Sequence, residues 1–324
     1  MKKILLAALI AILMIVAYQV DFGEVLDRIS ITKKEDEIKD CPIFVGEKEV
    51  HLGMSESELD DIFEKPYDVL LSEYGFYWNI YHKNFQNYIQ VGIKDGIVVG
   101  MYTNSPKLLF ENISGGTKKE RIREILGEPI DGIVKGNTRF LSNGGSKDSN
   151  FEIYKIRGAY VTFFYDIYKN NSLTSVNIID CDVEEGFDML YAPQSSELQK
   201  SFEKQNFYVT NATRVNEKKT PFSPHDGLDG LAYSHALDMS QNNYFSHTSQ
   251  NGDTVMQRAK KHSISFKTIG ENLAMGAQNS IYMHELLMNS EGHRKNILGD
   301  FTKMGTGIAF SLDNTPYLTQ NFLK

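Results

Sequence analysis

Hydrophobic residues in this chain follow several different spacings, and each spacing predicts a different kind of element. Residues 4–20 form an uncharged, mostly apolar run, with Lys2 and Lys3 before it and Asp21 and Glu24 after it. Positive charge on the leading side places the start of the chain in the cytoplasm and the rest outside. The run exceeds the roughly 7–15 residues of a signal-peptide core and is close to the minimum of about 17 for a spanning helix. Val16-Ala17-Tyr18-Gln19 is a poor cleavage site, and no cysteine stands there to take a lipid. Residues 1–21 therefore read as an uncleaved signal anchor in the cell membrane, with the bulk of the chain extracellular. Secretion after cleavage is the alternative.

After a charged stretch at 22–45, read as a linker, the pattern repeats at an offset of 63 residues. Gly53, Leu59, Ile62, Phe63 and Pro66 line up with Gly116, Ile122, Ile125, Leu126 and Pro129. The apolar trio in each copy marks one face of a short helix, which Ser55 or Thr117 can cap and the proline ends. Strand signals follow each helix, at 76–81, 88–93 and 97–102 and again at 151–156, 160–165 and 173–178. Lys94-Asp95-Gly96 and Lys169-Asn170-Asn171 are tight turns between strands. A helix followed by an antiparallel meander, twice over, predicts an α+β domain built by duplication across residues 46–183. Tyr77, Trp78, Tyr81 and Tyr88 read as core of its sheet. Residues 184–199, with Gly186, Pro193, Ser195 and Ser196, read as a second linker.

In the last segment, residues 200–324, Leu228, Leu231, Ala232, His235, Ala236 and Met239 have helical spacing. A second helix runs through Met256 and Ala259, and a third spans about 281–288. Strands follow at 305–310 and 317–322.

Charge changes the picture in one respect. From Lys200 onward 13 Lys and Arg face 11 Asp and Glu, whereas the first 199 residues hold 21 against 31. An acidic front half argues against nucleic acid as a partner, because phosphate binding needs clustered cations. Six of the eight histidines (His225, His235, His247, His262, His284 and His293) lie in the last hundred residues, so histidine chemistry belongs to the second domain. The two cysteines, Cys41 and Cys181, bracket the first domain. They are either a disulfide closing a long loop or two thiols, since sequence separation does not say whether their Cβ atoms meet.

The segments LGMSESEL at 52–59 and GIKDGIVVGMYT at 92–103 resemble the CAP-associated N-terminal domain of bacterial proteins. YFSHTS at 244–249, GENLA at 270–274, NSEGHRKNIL at 289–298, MGTGIAF at 304–310 and YLTQNF at 317–322 follow one another in the order of the CAP superfamily (cysteine-rich secretory, antigen 5, pathogenesis-related). That resemblance implies a three-layer α-β-α sandwich with a cleft of two histidines and two acids. By motif, His247, Glu271 and His293 match three of the four. Ser290 or a neighbour stands where the second glutamate is expected, and neither Glu285 nor Glu291 is an evident substitute.

Two imidazoles and one carboxylate are a ligand set that suits a divalent cation such as zinc. The same three groups can instead hydrogen-bond one another and peg loops together. His235, on the apolar face of its helix, reads as a buried supporting residue, as do Arg294 and Asn296. Arg294 is also placed to meet an anionic group. His284-Glu285-Leu286-Leu287-Met288 begins like the zinc-protease motif HExxH, but a thioether at 288 is a poor zinc ligand beside imidazole, so that reading fails. No GxSxG turn is present either.

The leading expectation is a binding module at the cell envelope rather than an enzyme, its partner an envelope protein, a lipid or a peptide, held to the membrane through residues 4–20. The alternative is a metal-assisted hydrolase of peptide or cell-wall material, with His247 and His293 as ligands and Glu271 as ligand or general base. A third reading makes the duplicated domain the effector and the CAP domain its scaffold.

Overall fold

The computed structural model describes residues 17–19, 40–141 and 149–324. The expected anchor falls almost entirely outside them. Its one described piece, Ala17–Gln19 (β1), pairs antiparallel with residues 138–140. Among the described residues no helix is long and apolar enough to cross a membrane.

Ile43–Val45 (β2), at the end of the stretch read as linker, forms a hairpin with Lys48–Val50 (β3), and Cys41 and Ile43 are fully buried. Glu56–Ile62 (α1) is capped as predicted. The Ser55 hydroxyl accepts from the Glu58 amide, and the Glu58 carboxylate accepts from the Ser55 amide at 2.8 Å, which closes a capping box. In the second copy Thr117 does not cap. Its hydroxyl accepts instead from the Ser114 amide at 3.2 Å, and Lys119–Leu126 (α2) begins after Lys118 without a side-chain cap.

The expected meanders are present: Asp68–Leu71 (β4), Tyr77–Lys83 (β5), Gln86–Lys94 (β6) and Ile97–Thr103 (β7), then Phe151–Ile156 (β12), Ala159–Asp166 (β13) and Ser172–Asp180 (β14). Between the copies lie Leu108–Phe110 (β8) and Ile113–Ser114 (β9), then Gly132–Lys135 (β10) and Thr138–Leu141 (β11). The two meanders join edge to edge through antiparallel β14 and β7. One seven-stranded sheet results, in the order β12-β13-β14-β7-β6-β5-β4.

Because successive side chains of a strand point to opposite faces, this sheet has two cores. One face buries Ile89, Val91, Met101, Val161, Phe163 and Ile178 with Leu59 of α1 and Ile122 of α2. The other holds Phe76, Trp78, Tyr88, Tyr102, Tyr160 and Phe164. Of the four aromatics assigned to the core, Trp78, Tyr81 and Tyr88 are buried, while Tyr77 is largely exposed and its hydroxyl reaches Glu197. Cys41 and Cys181 are buried thiols with no disulfide between them, and burial pushes the Cys41 thiol up to about 12.

A short helix, Cys181–Gly186 (α3), ends the first domain, and residues 187–195 make the connection. The expected second linker is therefore half helix. Ser195 accepts from the Leu198 amide at 3.0 Å and caps a 21-residue helix, Ser196–Asn216 (α4), that the apolar pattern did not predict. Asp226–Asn242 (α5), Val255–Lys261 (α6), Ser280–Met288 (α7) and Glu291–Ile297 (α8) complete the helices. Ser223–Pro224 (β15), Ile269–Met275 (β16), Lys303–Phe310 (β17) and Pro316–Leu323 (β18) form a sheet in the order β15-β17-β18-β16. Leu228, Leu231 and Met239 of α5 and Ala259 of α6 cover one face. Leu198 and Phe202 of α4, Met283 and Leu287 of α7 and Ile297 of α8 cover the other. This is the expected α-β-α sandwich.

Two glycines of β17 set its contact with α5. A Cβ on Gly305 would lie 2.3 Å from the Leu228 carbonyl carbon, and one on Gly307 would lie 2.0 Å from the Tyr233 amide nitrogen. Helix backbone rests directly on strand backbone there, which only glycine permits.

The aromatic face of the seven-stranded sheet packs on α4 and α7, so those helices lie between two sheets. Polar groups are paired across this interface. Gln205 donates to Gln90 at 2.7 Å, Tyr208 to Asp68 at 2.8 Å, and Tyr102 and Ser175 to Glu285 at 3.1 and 2.6 Å. Asn279, which caps α7, donates to Glu73.

Glu73 and Glu285 are buried carboxyls, and burial pushes each from an ordinary 4.5 up to about 7. Asp166 adds to the rise at Glu285. At Glu73 the negative Glu184 and the positive Lys135 oppose each other. Between about 4.5 and about 7 the folded chain keeps protons that the unfolded chain has released, so stability falls as pH rises through that window and levels off above it. Glu73→Gln and Glu285→Gln are expected to flatten this slope and raise the melting temperature at mildly alkaline pH. Melting curves collected across the window check this, and a slope unchanged from the parent chain counts against it.

Candidate functional site

The cleft is built from a loop, a strand and a helix. Asn243, in left-handed conformation at φ 53°, ends α5 and turns the chain into the loop that carries His247. His235, buried on α5, holds that loop from below, with Nε2 2.9 Å from the Ser246 carbonyl oxygen. Burial lowers the His235 pKa, although Glu271 opposes the shift, and the ring is kept neutral as a hydrogen-bonding strut.

Glu271 lies on β16, opposite Asn321 of β18, with its side chain almost wholly buried. Its Oε1 is 2.9 Å from His247 Nδ1. Its Oε2 accepts from Arg258 Nη2 at 2.5 Å and from Asn321 Nδ2 at 3.1 Å. Burial alone would raise this carboxyl, but the His247 hydrogen bond and the Arg258 charge outweigh it and hold the group below the usual range. An ionised carboxylate only accepts, so His247 Nδ1 carries the proton. The other ring nitrogen is left at the surface of a side chain that is 58% exposed.

Arg258, on α6, was not among the residues expected here. Besides Glu271 it donates to the His247 and Asp253 carbonyls at 3.0 and 2.9 Å and to the Ser249 hydroxyl at 3.1 Å. One buried guanidinium thus ties the His247 loop to the strand that carries Glu271. The signal for it was present, since an arginine among Lys260 and Lys261 on a seven-residue helix has no evident apolar partner, but that pattern equally describes a solvated face.

His293 lies on α8. It is half-buried, and burial together with the nearby His247 lowers its pKa. Asn272 donates to the His293 carbonyl at 3.1 Å, while Asn296 donates to Asn272 Oδ1 at 2.9 Å and to the Glu271 carbonyl at 3.2 Å. Asn296 therefore stitches α8 to β16. Arg294 turns away from the cleft. It donates to the Met288 carbonyl at 3.1 Å and pairs at 2.8 Å with Asp166 of the first domain, which is the anion that it meets.

The HExxM helix is accounted for differently. His284 is buried against Thr210 and Thr213 at 3.2 and 2.7 Å, and burial pushes its pKa down to about 3. Glu285 faces the first domain, so it does not supply the missing acid of the cleft. Glu291 is exposed in the first turn of α8.

The residues present do not fit a three-ligand metal site. Both Glu271 oxygens are committed, one beside a guanidinium whose charge opposes a cation. Among the described residues no group of three His, Cys, Asp or Glu side chains is arranged to hold an ion. Glu271 instead orients His247 and serves as its hydrogen-bond acceptor. The first domain packs on α4 and α7 and leaves His247 open.

A sandwich with paired histidines beside a buried glutamate, behind a duplicated α+β domain, defines a class. Residues 52–188 match the CAP-associated N-terminal family and residues 207–322 the cysteine-rich secretory protein (CAP) family, and the chain is a two-domain member of the CAP superfamily. It is similar to an uncharacterized membrane protein, YlbC, of Bacillus subtilis, at 25% identity over 84% of this chain and 82% of that one. Its second domain is similar to the uncharacterized protein YkwD of the same organism, 36% identical over 38% of this chain and 47% of that one. Among solved structures, an extracellular SCP-domain protein of Bacillus anthracis superposes with a TM-score of 0.73 at 24% identity, covering 84% of this chain and 93% of that one. A cysteine-rich secretory protein of Staphylococcus aureus does so at 0.68 and 18% identity, over 84% and 91%. Both share the fold.

Removing either partner of the Arg258–Glu271 pair leaves the other buried charge without its counter-ion. Arg258→Ala and Glu271→Ala are each expected to lower stability by about 3–5 kcal/mol, measured by denaturant unfolding. The double variant should recover part of that loss. Equal and additive small effects would show instead that the pair is solvated.

Proposed function

We propose that this protein is a binding module rather than an enzyme, held at the outer face of the cell envelope, and that its contact surface is the His247 and His293 face of the CAP domain. The observation that carries this reading is the state of Glu271. Its carboxylate is buried and fully hydrogen-bonded to His247, Arg258 and Asn321, so Glu271 is not free to act as a general base or as a third metal ligand. What remains at the surface is a fixed imidazole edge with its proton placement set from below, which is a recognition feature. The apolar run at 4–20 and the likeness to a protein named as a membrane protein support the location. An envelope protein, a lipid or a peptide are the partners that such a surface serves.

The test is capture from envelope extract by the full chain, compared with His247→Ala and His293→Ala. A specific partner retained by the parent and lost by both variants supports the reading. Identical capture by all three would move the contact elsewhere, and release of peptide or cell-wall fragments by the purified chain would end the non-enzymatic reading.

A further inference from the structure

Helix α8, which carries His293, has little of its own to hold it. It is seven residues long, Ser290 gives it no side-chain cap, and Ile297 at its far end is its one buried residue. A helix this short is marginal without tertiary contacts, and Gly292, one position before His293, adds backbone freedom. Asn296 and Ile297 fasten the second half to the CAP sheet and core. On the first half, Asn272 reaches the His293 carbonyl from β16 at 3.1 Å. Further ties to this half come from the other domain.

The turn Ile167–Lys169, just after β13, lies against the start of α8. The Ile167 amide donates to Asn289 Oδ1 at 2.9 Å, and Asn289 Nδ2 donates to the Tyr165 carbonyl at 2.9 Å. Asp166 joins the turn to the helix. Its Oδ1 accepts from the Tyr168 amide at 2.9 Å, and its Oδ2 accepts from Arg294 Nη2 at 2.8 Å. The Arg294 guanidinium also lies 5.1 Å from the centre of the Tyr168 ring. The Arg294 and Asp166 side chains are 15% and 4% exposed, so solvent and salt screen this pair little. Arg294 directly follows His293, so a tie on its side chain restrains the backbone that carries the imidazole.

We propose that Asp166 of the first domain is a positioning residue for the CAP cleft. Through Arg294 it holds the first half of α8, and with it the place of His293 relative to His247. His247 is held from inside the CAP domain by Glu271 and Arg258, whereas His293 is held in part by the neighbouring domain. The spacing of the two imidazoles therefore depends on the domain interface. Its functional meaning rests on the reading of this face as the contact surface. Coupling of this kind is reciprocal, so a guest that shifts His293 also pulls on the first domain.

Ring proton–nitrogen correlation spectra of the histidines in the full chain test this. They need no partner, so their outcome is separate from that of the capture experiment. Asp166→Asn keeps the shape and the acceptor for the Tyr168 amide but removes the charge that Arg294 meets. Arg294→Gln breaks the same tie from the other side. Each is expected to displace or broaden the His293 ring signals while those of His235, the strut on α5, stay in place. The double variant should move His293 no further than either single variant, because both remove one interaction. Lys169→Ala breaks a more exposed pair with Glu217 across the same interface and should leave His293 unmoved. Unmoved His293 signals in Asp166→Asn, a shift of His235 alongside them, or an equal shift in Lys169→Ala each overturns the proposal.

Discussion

Helices α4 and α7 lie between two sheets, and the rest of the molecule depends on how they meet that constraint. A helix covered on one side can send its polar residues to solvent, but these two cannot. They answer by pairing polar groups on both sides. Asn206 accepts from Gln320 at 2.7 Å toward the CAP sheet, and Gln205 donates to Gln90 at 2.7 Å toward the first domain. On α7 the neighbours His284 and Glu285 divide the same way, one toward α4 and one toward the seven-stranded sheet. Partners of this kind fix register more strictly than apolar packing does, because a slipped pair leaves buried donors and acceptors unmatched. The two domains therefore share an interface whose register is set by paired polar groups.

The cleft stands on the far side of this arrangement. Its histidines are held by second-row groups rather than by each other: His247 by Glu271 and Arg258, and the α8 helix of His293 by Asn272 and Asn296. The buried ion pair beneath His247 holds a loop whose own apolar anchor is Tyr244, packed against the cluster of Met239 and Leu273. Charge complementarity adds to that packing and keeps an exposed polar residue in a set orientation.

The meanders were legible in the sequence because their signals are local. Strand alternation and turn residues with left-handed backbone at Asp95, Gly96, Asn170 and Asn171 specify the hairpins without help from distant groups. The sandwich and its cleft residues were legible through motif order. Helix α4 was not, because buried Gln205, Asn206, Thr210, Asn211 and Arg214 interrupt the apolar period on its packed faces. Ser195 and Ser196 read as linker because serine favours loops and helix caps alike. Thr117 was misread for the same reason, since its hydroxyl had a nearer donor in Ser114. The partners of Arg294 and Glu285 lie in the other domain, more than a hundred residues away, and no local pattern carries such a pairing.

The glycines of β17 have a consequence for the cleft beyond the packing of one helix. With no side chain between them, α5 and the sheet are spaced by backbone atoms alone, a spacer that cannot flex or change rotamer. His235 rises from that helix to hold the loop of His247, while Glu271 rises from the sheet. Two glycines far from the surface thus act as the gauge block that brings imidazole and carboxylate to bonding distance. Drift at the strand would be felt as a lost contact at the cleft long before the fold itself gave way.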